Sequence, residues 1–269
     1  MSTPIFCIAN QKGGVGKTTT SVNLSAALAE RKKRILLLDL DPQANATSGL
    51  GLAKAEGASI YDVLLGDTAL RSIIQQTPVP RLDVIASEVD LAGADLDLAR
   101  ADDYLQRLAR VLAPLAAEDA YDFIFIDCPP SLGILTLDAM CAADGLVIPM
   151  QCEYYALEGI SVILRMIEKL RAAGAAPRLG IEGIVMTMYD MRTNLSRQVV
   201  EEIRTHFPDR IYSTLIPRSI RLAEAPSHGA PITVYAPESA GAAAYRQLAR
   251  EFLRRRAAAP APEAPPADA

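Results

Sequence analysis

Short apolar runs without polar alternation recur along the chain, and longer stretches with helical periodicity separate them. An uninterrupted apolar run is typical of a parallel strand that is covered on both faces. Strands that alternate with helices predict βαβ units, and therefore an α/β fold with a twisted, mostly parallel sheet flanked by helices. The predicted strands are residues 5–9, 34–39, 82–86, 123–127, 146–150, 181–186 and 212–216. The predicted helices are residues 17–31, 98–115, 157–173, 195–207 and 242–256.

The composition is that of a globular protein. Of the 269 residues 50% are hydrophobic, which is enough to bury a full core and excludes a wholly disordered chain. We expect one domain over residues 1–256 and a disordered tail over 257–269, where only Ala, Pro and acidic residues occur. No apolar run reaches the ~18–20 residues of a membrane span. The four cysteines lack metal-ligand spacing, so we expect a soluble, cytoplasmic protein.

Charge is distributed unevenly along the chain. Residues 178–256 carry 12 arginines and 8 acidic residues, whereas residues 1–177 carry 15 basic and 22 acidic residues. The formal net charge of −5 argues against a wholly basic nucleic-acid binder. It leaves room for a local arginine surface, and scattered solvated arginines are the alternative.

A glycine-rich segment between the first predicted strand and helix carries the strongest chemical signal. Glycines let successive backbone N–H groups point at phosphate oxygens, and the following helix adds its positive end. Lys17 is expected to neutralise the β- and γ-phosphates of a nucleotide, and the Thr18 hydroxyl to bind Mg²⁺. Gln11 departs from the common phosphate-loop pattern, which has glycine there. The predicted nucleotide-binding residues of this loop are Lys12, Gly13, Gly14, Val15, Gly16, Lys17, Thr18 and Thr19.

Lys12 lies beside the predicted phosphate-binding amides. A cation at this position is poorly placed to fold back onto its own nucleotide. It can instead reach the nucleotide of a second subunit, as an arginine finger supplied in trans does. Lys12 therefore predicts a dimer, with a solvated surface lysine as the alternative.

Carboxylates follow two of the predicted strands. Asp127 ends an apolar strand, as expected of an acid that holds Mg²⁺ through water, although a helix-capping aspartate is the alternative. Asp39 and Asp41 lie two residues apart on an extended strand and share one face. Asp41 is the better candidate to orient an attacking water, with a turn residue before Pro42 as the alternative. Asp39 is equally well explained by a structural role.

Five segments together resemble the ParA/Soj family of chromosome and plasmid partition ATPases. They are KGGVGKTT, LLLDLDPQANAT, FIFIDCPPS, MTMYDMRTNLS and LIPRSIRLAEAPSHG, and they occur in the family's order within residues 4–254. The resemblance implies a single α/β domain with the P-loop NTPase fold of the deviant Walker A group, binding ATP and Mg²⁺. It assigns the metal to Thr18 and Asp127, and places Pro217 beside the adenine, with Met186 as a second candidate. The catalytic residues that it implies are Lys12, Lys17, Asp41 and Asp127.

The resemblance also implies how such a protein works. ATP closes a sandwich dimer, the dimer binds double-stranded DNA without sequence preference, and a ParB-type centromere-binding partner stimulates hydrolysis and releases the DNA. A cytoplasmic, nucleoid-associated location follows. The resemblance points to Arg192 and Arg221 as DNA contacts, and Arg197 and Arg218 can extend the patch.

The sequence is also compatible with other functions. A MinD-like membrane-associated positioning ATPase would use the basic amphipathic stretch 245–256. A core-packed final helix explains the same pattern, so we do not expect membrane docking. An orphan ParA would position another cargo. An electron-transfer ATPase of the nitrogenase iron-protein kind would need cysteines placed to share a cluster, and an ATP-dependent ligase would need a separate substrate module.

Overall fold

The structure of the chain is a computed structural model that describes residues 2–54, 59–100, 103–154 and 156–258. Its strands are β1 (Ile5–Ile8), β2 (Ile35–Asp39), β3 (Ile74–Gln76), β4 (Leu82–Ile85), β5 (Phe123–Asp127), β6 (Gly145–Gln151) and β7 (Gly180–Thr187). Within the described residues they form one sheet in the order β3-β4-β2-β5-β1-β6-β7. Strands β3 and β4 pair antiparallel at one edge, and every other neighbouring pair is parallel. The predicted mostly parallel sheet is confirmed.

Helices cover both faces of this sheet. They are α1 (Lys17–Glu30), α2 (Asn45–Gly49), α3 (Ile60–Leu65), α4 (Ala94–Leu98), α5 (Arg107–Ala117), α6 (Ile134–Ala142), α7 (Ala156–Ala172), α8 (Asn194–His206), α9 (Ile220–Glu224), α10 (Ile232–Tyr235) and α11 (Ala240–Ala258). Successive side chains of a strand point to opposite faces, so Ile5 and Cys7 of β1 pack in one apolar layer and Phe6 and Ile8 in the other. Burial on both faces explains why the central strands are apolar without alternation.

The prediction of a strand over residues 212–216 is wrong. Within the described residues, only isolated bridges join this region to the sheet, at Ile211 and Pro217. Between them, the Glu251 carboxylate of α11 accepts the backbone N–H of Ser213 at 2.7 Å and of Thr214 at 2.9 Å. These amides therefore bond to a side chain and do not extend a strand ladder.

The helix predicted over residues 98–115 begins later than predicted and corresponds to α5. Helix α4 ends at Leu98 and α5 begins at Arg107. Helix α11 continues to Ala258, two residues beyond the predicted domain end. Residues 259–269 of the predicted tail lie outside the described residues, so disorder there stays a prediction.

The final helix is anchored by its apolar face. Tyr245, Leu248 and Phe252 of α11 are fully buried in the layer that also contains α1. The amphipathic pattern of residues 245–256 is thus explained by packing onto the sheet. In the part of the chain that the structure describes, no helix is long and apolar enough to cross a membrane.

Candidate functional site

The candidate site lies where three adjacent central strands end. In the register of the sheet, Asp127 of β5 stands opposite Ile8 of β1 on one side and opposite Asp39 of β2 on the other. The loop after β1, the segment after β2 and the last residue of β5 therefore meet at one edge, as expected for a parallel sheet. We call this edge the phosphate end.

The glycine loop adopts a backbone that only glycine takes up without cost. Gly14 and Gly16 have φ angles of 73° and 88°, in the left-handed region. Gly16 occupies the N-cap position of α1 and no side chain caps the helix. The first amides of α1 are therefore open to a phosphate, with the helix dipole behind them.

Two side chains from outside the loop hold its shape. The Asn10 side chain accepts the Lys12 N–H at 3.1 Å and donates to the carbonyl of Pro149 at 2.8 Å. Thr187, the last residue of β7, donates its hydroxyl to the carbonyl of Val15 at 2.8 Å. The loop is thus tied to the ends of β6 and β7 and is shaped before any ligand binds.

Lys17 is curled back into this loop. Its side chain is buried, and Nζ donates to the carbonyl of Lys12 at 3.1 Å. Burial lowers the pKa of the ammonium, while the nearby Asp127 carboxylate opposes that shift. A buried cation with a carbonyl as hydrogen-bond acceptor is well placed to meet phosphate oxygens.

The two carboxylate oxygens of Asp127 differ, because one accepts a hydrogen bond and the other has no hydrogen-bond partner among the described residues. Ser21 of α1 donates its hydroxyl to Oδ1 at 2.6 Å, and Oδ2 has no hydrogen-bond partner among the described residues. Burial, followed by repulsion from Asp39, raises the pKa of Asp127 to about 7. The Thr18 hydroxyl lies beside the same carboxyl group. A buried open carboxylate oxygen next to a hydroxyl fits the hard oxygen ligands that Mg²⁺ prefers, so the residues present fit this metal.

Asp39 is a structural support for Asp41. Its Oδ2 accepts the N–H of Thr47 at 2.8 Å and the Thr47 hydroxyl at 2.7 Å, and its Oδ1 accepts the N–H of Asp41 at 3.2 Å. The Thr47 hydroxyl in turn accepts the N–H of Ser87 at 3.1 Å. Burial raises the pKa of Asp39 to about 6. Asp41, also buried, is held at the phosphate end by this network and by the N–H of Gln43 at 3.0 Å.

Lys12 points away from its own loop. Its ammonium forms an ion pair with Glu153, which follows β6, and the side chains are 52% and 42% exposed. Lys12 therefore lies on the rim of the site and is accessible from outside. This geometry agrees with a lysine that does not serve the phosphates of its own chain.

A cavity of about 300 Å³ opens beside the loop. Gly16 and Thr19 line it on the phosphate side, and Pro217 and Met188 line it further out. Pro217, the predicted adenine neighbour, therefore lines a cavity next to the loop, and its contact with adenine stays a prediction. Met186 is fully buried in the core and does not line the cavity, because β7 ends at Thr187 and the chain turns at Met188, whose φ is 51°.

The four candidate DNA-contact arginines are exposed, and we call them the arginine surface: Arg192, Arg197, Arg218 and Arg221. Arg192 and Arg218 line one shared cavity of about 480 Å³.

Members of the arginine surface already have partners within the chain. The guanidinium of Arg192 forms two hydrogen bonds with the Asp190 carboxylate, at 2.9 and 2.7 Å, which lower the pKa of that carboxyl group to about 2. Arg221 pairs with Glu224 at 3.1 Å. Acids of this chain therefore partly neutralise the cations that the sequence predicts for DNA.

Sequence reasoning missed further residues of the site: Asn10, Ser21, Thr47, Glu153, Thr187 and Met188. Ser21 lies four positions after Lys17, on the same side of α1 as the loop lysine, and this spacing was an available signal. Thr47 contacts Asp39 across a turn, and Glu153 contacts Lys12, which is distant in sequence. Local sequence patterns give no signal for either contact.

Comparisons with known proteins agree with this geometry. A family model described as an AAA domain matches residues 3–181. The sporulation initiation inhibitor protein Soj of Bacillus subtilis (strain 168) is 53% identical over 248 residues, which cover 92% of this chain and 97% of that protein. The chromosome partitioning protein ParA of Caulobacter vibrioides (strain NA1000 / CB15N) is 45% identical, covering 93% of this chain and 94% of that protein.

A solved structure is similar over the whole fold. Cobyrinic acid a,c-diamide synthase from Mycobacterium smegmatis, with bound ADP and magnesium, matches with a TM-score of 0.82 at 36% identity, covering 95% of this chain and 96% of that one. The sheet order, the phosphate end and the relatives at 45–53% identity lead to one assignment. The chain belongs to the ParA/Soj family of chromosome-partitioning ATPases.

Proposed function

We propose that this protein hydrolyses ATP in an Mg²⁺-dependent reaction and uses the nucleotide to switch its own dimerisation and DNA binding. The single observation that carries this proposal is the phosphate end itself. It combines open helix amides, a buried Lys17 and two acidic segments, while Lys12 faces outward. Such an arrangement provides a cradle for the phosphates of one chain and a cation for those of another.

Each residue at the phosphate end has a distinct role in the proposed reaction. The loop amides and Lys17 bind the phosphates and offset their charge. Asp41 orients a water for attack on the γ-phosphate, and the network around Asp39 limits how far Asp41 can move. Thr18 and Asp127 are the residues that would hold Mg²⁺, which when bound neutralises charge that develops on the phosphates. Gly16, Thr19 and Pro217 border the space for the nucleoside.

Dimerisation follows from the position of Lys12. Its ammonium lies at the rim of the site in a half-exposed ion pair with Glu153, so a second subunit's nucleotide can compete for it. An exposed ion pair stabilises by at most about 1 kcal/mol, so the more highly charged triphosphate can replace Glu153 as the partner of Lys12. ATP thus supplies the contact that joins two copies of the chain.

DNA binding is proposed for the arginine surface. Contacts to phosphates require no base recognition, and affinity grows with the number of phosphates that are neutralised. One chain offers few such contacts, and two joined chains offer twice as many. ATP therefore controls DNA affinity through dimerisation. The ATP-bound dimer is nucleoid-associated in the cytoplasm, and a ParB-type partner that stimulates hydrolysis would release it from the DNA.

Retention of a random-sequence DNA duplex, measured with and without Mg²⁺ and ATP, tests this function. We expect ATP-dependent retention for the wild type, prolonged retention for Asp41→Ala and none for Lys12→Ala. Lys54→Ala removes another exposed lysine and is the matched control, with wild-type behaviour expected. Equal retention of the wild type without nucleotide contradicts the ATP switch, and normal retention by Lys12→Ala contradicts the trans-acting lysine.

A further inference from the structure

Helix α1 carries two fully buried serines, one turn apart, in different situations. The Ser21 hydroxyl lies 2.6 Å from Oδ1 of Asp127 and 3.0 Å from the carbonyl of Lys17. The Ser25 hydroxyl has no hydrogen-bond partner among the described residues. Because a serine has a single hydroxyl proton, Ser21 donates it to the nearer acceptor, Oδ1 of Asp127.

The hydrogen bond from Ser21 fixes the orientation of the carboxyl group. The terminal torsion of an aspartate is broad, so a buried carboxylate without a partner can rotate. With Oδ1 held by Ser21, Oδ2 is left as the oxygen without a hydrogen-bond partner in the described structure. A hydroxyl on α1 therefore decides which oxygen of Asp127 stays available.

Ser21 also links Asp127 to the phosphate loop. It lies on the helix that begins at Lys17 and continues through Thr18, and its hydroxyl is within hydrogen-bond distance of the Lys17 carbonyl. The end of β5 and the start of α1 are thus joined through one side chain, although Ser21 and Asp127 are 106 positions apart in sequence. The relative position of the two predicted metal-holding residues, Thr18 and Asp127, depends on this joint.

We propose that Ser21 is a positioning residue that holds Asp127 so that Oδ2 is presented to the Mg²⁺ that accompanies the nucleotide. This inference rests on the proposed function, because it assumes that the phosphate end binds a metal–nucleotide complex. Groups that orient metal-binding residues commonly change metal affinity by about 10–100-fold when they are removed. The hydroxyl itself does not touch the nucleotide.

The affinity for a fluorescent ATP derivative, titrated with Mg²⁺ and in EDTA, tests the proposal without measuring turnover. For Ser21→Ala we expect the Mg²⁺ concentration at half-maximal tight binding to rise about tenfold. Affinity in EDTA should be unchanged, because the loop amides and Lys17 remain. Ser21→Thr keeps the hydroxyl and should restore the wild-type midpoint. Ser25→Ala, which removes a buried serine hydroxyl without a partner, is the matched control and should match the wild type.

The outcomes separate this inference from the function on which it rests. An unchanged Mg²⁺ midpoint in folded Ser21→Ala overturns the positioning role while nucleotide binding by the wild type stands. A wild type that fails to bind the ATP derivative overturns the proposed function itself. Should Ser21→Ala not fold, Ser21→Cys serves in its place, because a thiol is a weaker donor of similar size. An intermediate midpoint in Ser21→Cys supports the proposal, and a wild-type midpoint contradicts it.

Discussion

The phosphate end and the arginine surface hold their charges in opposite ways. Asp39 and Asp127 are fully buried and each accepts a hydrogen bond from a hydroxyl on a neighbouring helix. Arg192 and Arg221 have side chains that are 82% and 62% exposed, and each pairs with an acid of its own chain. Buried charges with fixed partners give a preorganised site, whereas exposed ion pairs are weak and exchange readily. The phosphate end can therefore bind a ligand through a few fixed contacts, whereas the arginine surface needs many weak contacts to hold DNA.

The largest effect is expected from reversing one charge of the arginine surface. Arg192→Glu replaces two favourable phosphate contacts per dimer by two repulsive ones, so DNA retention should be lost at moderate salt while ATP binding is kept. For the milder Arg192→Ala, the slope of log affinity against log salt should fall by about 2. Filter binding over a salt series measures both quantities.

Arg204→Glu is the matched control for this change. Arg204 is a further arginine of residues 178–256, on α8, and pairs with Glu201. We expect it to weaken DNA retention far less than Arg192→Glu. Equal losses for the two variants would show that net charge matters and that the arginine surface is not a specific site.

At the phosphate end, Thr47→Val removes the hydroxyl between Asp39 and Ser87. A hydrogen bond to a buried carboxylate is worth about 1.5–3 kcal/mol, so the free energy of unfolding should fall by that amount. Because Asp39 also holds the amide of Asp41, we expect kcat to fall about tenfold with KM little changed. Denaturant unfolding and steady-state ATP hydrolysis at about pH 8, where Asp39 is ionised, measure the two effects.

Thr47→Ser keeps the hydroxyl and should restore both stability and turnover. A Thr47→Val protein that loses stability but keeps full kcat would show that Asp39 supports the fold and does not position Asp41.

A smaller effect in the opposite direction is expected from Asp190→Asn. This change removes the acid that pairs with Arg192 and should strengthen DNA binding of the dimer several-fold, since each freed cation can neutralise a phosphate. Arg192 lowers the pKa of Asp190 to about 2, so the carboxyl stays charged above that pH. Lowering the pH from about 8 to 5 should therefore not reproduce the variant.

Asp209→Asn removes the same charge from another exposed position of residues 178–256 and is the control. An equal gain in DNA affinity for Asp209→Asn would mean that Asp190 does not restrain Arg192 in particular.

The smallest effect is expected from Glu153→Gln. It releases Lys12 from an exposed ion pair, which should tighten ATP-dependent dimerisation by less than about fivefold. Sedimentation over a range of protein concentrations measures the dissociation constant of the dimer. Glu158→Gln, which removes the charge of another exposed acid, on α7, is the control and should leave this constant unchanged. Weaker dimerisation in Glu153→Gln would indicate that Glu153 takes part in the interface and does not compete for Lys12.

Sequence reasoning placed Lys17 and Asp127 at the same edge of the sheet for a physical reason. Lys17 and Asp127 are fixed by short motifs at strand ends, and the carboxyl ends of parallel strands must meet at one edge. It failed where distant residues decide the local structure. Glu251 takes the amides of Ser213 and Thr214, which lie 37–38 positions earlier, and so prevents the strand that the apolar run predicts. Met188 lines the cavity, and not Met186, because the chain turns where β7 ends.

At the arginine surface the sequence could identify cations but not their partners. The pairing of Arg192 with Asp190 depends on the local path of the chain before α8, and no spacing rule predicts it. The sequence does not distinguish an arginine without an acidic partner from one that is paired with an acid, although the paired arginine binds a phosphate less strongly.

The central claim is that ATP joins two copies of this chain through Lys12. Light scattering of Asp41→Ala, in which we expect hydrolysis to be blocked, measures the particle mass directly with and without Mg²⁺ and ATP. The account predicts a mass near 28.8 kDa without nucleotide, about twice that with ATP, and the monomer mass under both conditions once Lys12→Ala is added. The same mass for Asp41→Ala with and without ATP would contradict it.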